Sequence, residues 1–190
     1  VTGPAPLVSL TPVELLLRVS AATVGAGEYP PSSNAGPYVE RVQRRTGNRP
    51  PDPWCASWVS DVGHHALGSL WPVRNTASVV QMCDWAKARG CRYIPGATGR
   101  GAPQLGDIYA LWYPKLGRWA HVGIVVGVTP GTLRIVARDG NTSGPGMAGP
   151  ALDREGWLVA EKPRTLTRED RLIRWVEALP AGPAQPDVAL

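Results

Sequence analysis

Hydrophobic positions along this chain change their spacing near Gly101. Before that point they recur at three and four residue steps between capping signals, which predicts helices with one buried face. Thr11-Pro12-Val13-Glu14 reads as a capping box with proline at the first helical position, so a helix is expected from Pro12 to about Ala22. The segment GAGEYPPSSNAGP, residues 25 to 37, is too rich in Gly, Pro and Ser for a regular element, and a second helix is expected from Pro37 to about Thr46. Asp52 then reads as an N-cap with Pro53 at the first helical position and Cys55 at the third. Cys55, Trp58, Val59 and Val62 share one face of that helix, and a fourth helix is expected from Ser78 to Arg89, stopped by Gly90.

Beyond Gly101 the apolar runs IYALWY (108 to 113), AHVGIVVGV (120 to 128), TLRIVAR (132 to 138) and GWLVAE (156 to 161) are β-rich and separated by Pro/Gly turns. They predict an antiparallel meander. Thr167-Arg168-Glu169-Asp170 reads as the opening of a last helix with Leu172, Trp175, Val176 and Leu179 on one face, followed by a loose tail, AGPAQPDVAL. Helices first and a meander afterwards define an α+β class.

Composition narrows this little. A chain of 190 residues and 20.3 kDa suits one domain, and eight Trp with no Phe leave indole rings as the bulky aromatic filling. No run is long enough to cross a bilayer. The longest, VELLLRVSAATVG, is interrupted by Glu14 and Arg18 and lacks a preceding basic region, so it is not expected to be a signal peptide, and no export route is written in the chain. The net charge of +5 favours an anionic partner. Its two clusters, Arg41, Arg44, Arg45 and Arg49, and Arg164, Arg168, Arg171 and Arg174, lack the pattern of a nucleic-acid reader. They read as two solvated faces, and a polyanionic cell wall would answer the charge equally well.

The chemistry centres on Cys55. The first turn of a helix favours an anion, so a thiol there is biased toward the nucleophilic thiolate. A base must stand beside it, oriented by a third polar group. Of three histidines, His64 and His65 fall at the far end of the Cys55 helix, whereas His121 opens a strand that can face its start. Asp139 and Asn141, at the end of the next strand, are both candidates to orient His121. Asp139-Gly140-Asn141 also reads as a plain turn. Cys83 and Cys91 have the spacing of neither a C-x-x-C motif nor a defined disulfide, and their pairing is left open.

WCASWV around Cys55, GDIYALW followed by AHVGIVVGV, and then DGN together resemble a CHAP domain of the NlpC/P60-like, papain-related superfamily. LLRVSAATVGAGEYPPSSNAGPYVERVQRRTG is similar to the helical lead-in of a group frequent in phage and prophage genomes. The resemblance spans about residues 12 to 164. It implies a papain-like α+β fold with a helical lead-in (12 to 46), a nucleophile helix (53 to 64) and a meander (107 to 162) in a catalytic domain over 1 to 164, with a C-terminal helix and tail over 165 to 190. It implies a lysin that cleaves a peptide or amide bond of bacterial peptidoglycan at the wall, as an endopeptidase or N-acetylmuramoyl-L-alanine amidase. Cys55 would be the nucleophile and His121 the base. The family pattern is often Glu-x-Asn where this chain has Asp139-Gly140-Asn141, which leaves open whether Asp139 or Asn141 orients His121.

No cofactor is expected. A calcium loop needs carboxylates at alternate positions, and residues 25 to 37 hold only Glu28. No nucleic acid and no membrane insertion are expected, and a monomer is. Trp54, Trp58, Trp112, Tyr113 and Trp119 are expected to divide between groove walls and core. Two other readings are a wall-binding module that keeps the fold without turnover, and a zinc site drawn from Cys83, Cys91, His64 and His65.

Overall fold

Thr11 and Glu14 close the first helix end reciprocally: Glu14 N–H donates to the Thr11 hydroxyl at 3.2 Å, and Thr11 N–H donates to the Glu14 carboxylate at 2.7 Å. In the computed structural model, which describes residues 10–144 and 156–180, this box opens α1, Pro12–Ala21. Next come α2, Pro37–Arg44, then α3, Cys55–Leu67, and α4, Val79–Ala88. Ser78 caps α4 by accepting Gln81 N–H at 3.3 Å, and Gly90, at φ +68, turns the chain where only glycine is unstrained.

The capping expectation before Cys55 is corrected. Asp52 is exposed and its own N–H closes a turn onto Arg49 O at 3.0 Å, so the chain reaches helical geometry only after Trp54. Cys55 is therefore the first helical residue rather than the third.

Six strands follow: β1 (Arg92–Tyr93), β2 (Ile108–Tyr113), β3 (Arg118–Val128), β4 (Arg134–Thr142), β5 (Leu158–Thr165) and β6 (Arg171–Ile173). Their order in the antiparallel sheet is β1-β6-β2-β3-β4-β5. The expected meander is thus present as β2 to β5, and the class is α+β.

The expected last helix is corrected to β6 and a single 3-10 turn, Trp175–Ala178. Tertiary pairing overrides the helical spacing there. Ile173 and Leu172 pair with Arg92 and Tyr93 on one side and with Ile108 and Tyr109 on the other. Asp170 fixes the preceding turn by accepting N–H groups from Thr167 (2.7 Å) and Trp112 (2.8 Å). A boundary at 164/165 cannot stand, because β6 lies inside the sheet. The tail expected to be loose, 181–190, lies outside the described residues.

Two apolar layers sandwich the sheet. Trp54, Trp58, Val59, Val62 and Met82 from the helices pack on Ile108, Val122, Ile124, Val159 and Ile173. On the other face Tyr109, Val125, Ile135, Ala137, Leu166 and Leu172 form a smaller cluster. Full burial of each large apolar side chain contributes about 1.5 to 3 kcal/mol. Alternation along β2 and β3 sorts neighbours into different layers, as with Ile108 and Tyr109. Close approach of α3 requires glycine at two points: a Cβ on Gly63 would lie 2.1 Å from the Trp71 ring, and one on Gly140 would lie 2.7 Å from Trp58.

Candidate active site

The start of α3 is held from several sides. Trp54, the N-cap residue, is fully buried and its indole N–H donates to Glu28 at 2.9 Å; the Trp58 indole donates to Thr23 at 3.2 Å. Both rings are core, not groove wall. Cys55 follows, 3% exposed, with its N–H in the turn that a helix leaves without internal acceptors. Any anion bound against Cys55 therefore meets free backbone donors.

His121, on β3 opposite Leu111 of β2, is completely buried. Its Nε2 lies 3.3 Å from Asp139 Oδ2, a distance at which charge acts although the two are not aligned as a hydrogen bond. Nδ1 has no hydrogen-bond partner among the described residues, and Cys55 is the other side chain acting on this imidazole. Burial alone would depress the His121 pKa, but Asp139 and Cys55 together outweigh it and raise the value above that of an ordinary imidazole.

Asp139, on β4, is equally buried, and each of its oxygens is engaged. Oδ1 accepts the Tyr109 hydroxyl; Oδ2 accepts Arg164 Nε at 3.0 Å and a second guanidinium N–H as well as facing His121. Burial pushes this carboxyl upward, yet the Arg164 charge, His121 and the Tyr109 hydroxyl hold it at about 2. It is an anion at any ordinary pH. Tyr109, buried beside that anion, is shifted well above the usual phenol value and stays a donor.

Three of these residues were not singled out from sequence. The sequence pattern groups Arg164 with solvated arginines. That is corrected here, and Arg174 in the same cluster is likewise buried, against Asp107 at 2.9 Å. Gly123, two residues after His121, leaves the space the Asp139 carboxylate fills: a Cβ there would lie 2.1 Å from Oδ1 and 2.9 Å from Tyr109 Cε1. The readable trace of this was the His-x-Gly spacing in AHVGIVVGV.

Asn141 sits apart from His121 in function. It adopts φ +57, which breaks the strand alternation that would have put it on the side of Asp139. With its amide turned to satisfy both ends, its oxygen accepts Trp54 N–H at 3.2 Å and its nitrogen donates to Asn34 (3.2 Å) and to Gly156 O. Asn141 thus steadies the residue before Cys55, and Asp139 is the group that meets the imidazole. Gly140 between them is a point of close packing under Trp58 within β4, not a turn.

The remaining histidines and cysteines lie elsewhere. His65 Nδ1 contacts Asp61 O at 2.8 Å at the far end of α3, and His64 adjoins it. Cys83 and Cys91 are buried free thiols, and burial pushes Cys83 up to about 12. Among the described residues no group of three His, Cys, Asp or Glu side chains converges as a metal site would require.

A cleft of about 230 Å³ opens onto Cys55, lined also by Asp52, Ser78, Arg118, Trp119 and Ala120. A larger hollow of about 500 Å³ lies between the ends of β3, β4 and β5, away from the thiol. Only the first offers a substrate access to a nucleophile, so the smaller space is the relevant one. Neither a family model, nor a curated protein, nor a solved structure matches the chain. The site's capability therefore rests on its geometry: a helix-start thiol, a buried imidazole beside it and a fixed carboxylate behind the imidazole can carry out nucleophilic acyl transfer.

Proposed function

We propose that the protein is a cysteine hydrolase of the CHAP type that cleaves a peptide or amide bond of bacterial peptidoglycan at the cell wall, as a lysin does. The observation that carries this reading is Cys55 at the first position of α3, with His121 between it and the buried Asp139. A nucleophile helix packed on an antiparallel sheet that supplies base and acid also supports a papain-like arrangement, and the positive net charge suits a polyanionic wall.

The Cys55 sulfur attacks the substrate carbonyl carbon as His121 holds the thiol proton. The oxyanion that forms accepts the Cys55 N–H at the start of α3. His121 passes its proton to the amine nitrogen, the C–N bond breaks, and a thioester remains. Water then gives its proton to His121 and attacks the thioester, and the acid and the thiol are released. Asp139 keeps the imidazole in one orientation and stabilises its charged form. Arg164 and Tyr109 keep Asp139 in place.

Mass spectrometry of fragments released from purified peptidoglycan tests the reading and names the bond. Wild type releases soluble fragments. Cys55→Ala releases none while its circular dichroism stays native, and Cys83→Ser keeps most of the activity. Full release by Cys55→Ala would overturn the enzyme reading and leave a wall-binding module as the better account.

A further inference from the structure

The walls of the Cys55 cleft differ in charge. The segment before α3 contributes Asp52, α4 begins with the small Ser78 and Val79, and β3 contributes Arg118 and Trp119. Arg118 is exposed and, among the described residues, has no ion-pair partner. Trp119 beside it is fixed as a flat wall. Its indole N–H donates to Glu169 O at 2.9 Å and its ring lies edge-on to Trp112 at 5.3 Å.

Two more guanidinium groups stack on the Trp119 ring, Arg92 at 5.4 Å and Arg171 at 4.8 Å from its centre. Asp84 stands 4.0 Å from Arg92, and the Asp170 carboxylate acts on Arg171. Arg171 Nη1 donates to the backbone carbonyls of residues 168, 169 and 170, which carry no full charge. Arg92 of β1 and Arg171 of β6 thus lie over the indole, Arg118 adjoins it in β3, and Asp52 lines the same cleft.

We propose that this cleft selects a substrate bearing a free carboxylate beside the scissile amide, bound by Arg118 against Trp119 on the β3 side. Asp52 sets the direction by repelling the same carboxylate from the opposite wall. Arg92 and Arg171 hold the wall positive without reaching into the cleft lining. The substrate class is an acidic peptide, entered in one orientation. The inference rests on the hydrolase reading for the position of the scissile bond.

The test uses two muramyl-peptide fragments, one with its glutamyl α-carboxyl free and one with that carboxyl amidated. Calorimetric binding to Cys55→Ala is measured beside turnover by the active protein. The free-carboxylate fragment should bind more tightly, on the order of ten-fold, as for a charge-assisted hydrogen bond that is partly solvated. Arg118→Gln should bring it to the level of the amidated fragment, and in turnover the difference should fall mainly on KM. Equal binding of the two fragments, or a preference that survives Arg118→Gln, overturns the inference. Turnover without preference leaves the hydrolase reading standing and removes this one. An Arg118-dependent preference in binding without turnover does the reverse.

Discussion

Asp139 is held by a permanent charge from behind and faces a titrating one in front. Arg164 and Tyr109 fix its oxygens, so its contribution to His121 is orientation as much as field. The proposed active form pairs a thiolate with an imidazolium and is lost on the alkaline side when His121 gives up its proton. Asp139 and Cys55 raise that pKa above 6.5. Asp139→Asn should therefore lower kcat by about 10² to 10⁴-fold and move the alkaline limb of kcat/KM to lower pH. Asn141→Ala should leave that limb in place and act through a looser start of α3, a contrast visible in paired pH profiles. In the fold the Asp139 carboxyl sits at about 2 against an ordinary 3.8. Its stability contribution is then complete above about pH 4 and fades as pH falls toward 2, and acid melts of Asp139→Asn should lack that step. Cys55, His121 and Asp139 were legible because residue type and chain order carry their chemistry. Arg164 and Tyr109 were not. Their roles depend on which strands lie side by side, and Arg164 is 25 residues from the carboxylate it clamps.

At the scale of elements, caps and glycines decided what could be read. The capping box placed α1 within one residue of its observed end, and Ser78 and Gly90 did the same for α4. The start of α3 was misplaced because Asp52 and Pro53 mimic a cap while serving a turn. β3 approaches β4 closely only because position 123 has no side chain. Gly123→Ala should push the Asp139 carboxylate away from its partners. The expected result is a kcat lower by about 10²-fold, the usual cost of misplacing a catalytic group by about 1 Å. Overpacking should cost a further 1 to 3 kcal/mol or so, read from denaturant melts. A variant with normal kcat would show that the strands can separate without moving the site.

At the scale of the whole molecule, β6 was the element the sequence could not declare. Leu172 and Ile173 are buried in different layers, but so short a run carries too little alternation to be told from a helical face. Its pairing partners are far along the chain. A chain ending before Asp170 loses the strand between β1 and β2, the Asp170 turn and the Arg174–Asp107 pair. It should lose both its cooperative melt and its fragment release, whereas a chain ending after residue 180 should keep the melt.

Trp119, the indole that walls the Cys55 cleft, is pinned by Glu169 O and stacked by Arg171, both far downstream of it in the chain. During synthesis the thiol, imidazole and carboxylate all emerge before the residues that fix this wall. A nascent chain would thus carry the thiol, imidazole and carboxylate before the wall beside them was fixed. If the chain is the cysteine hydrolase proposed above, its substrate cleft is the last part of the site to be completed.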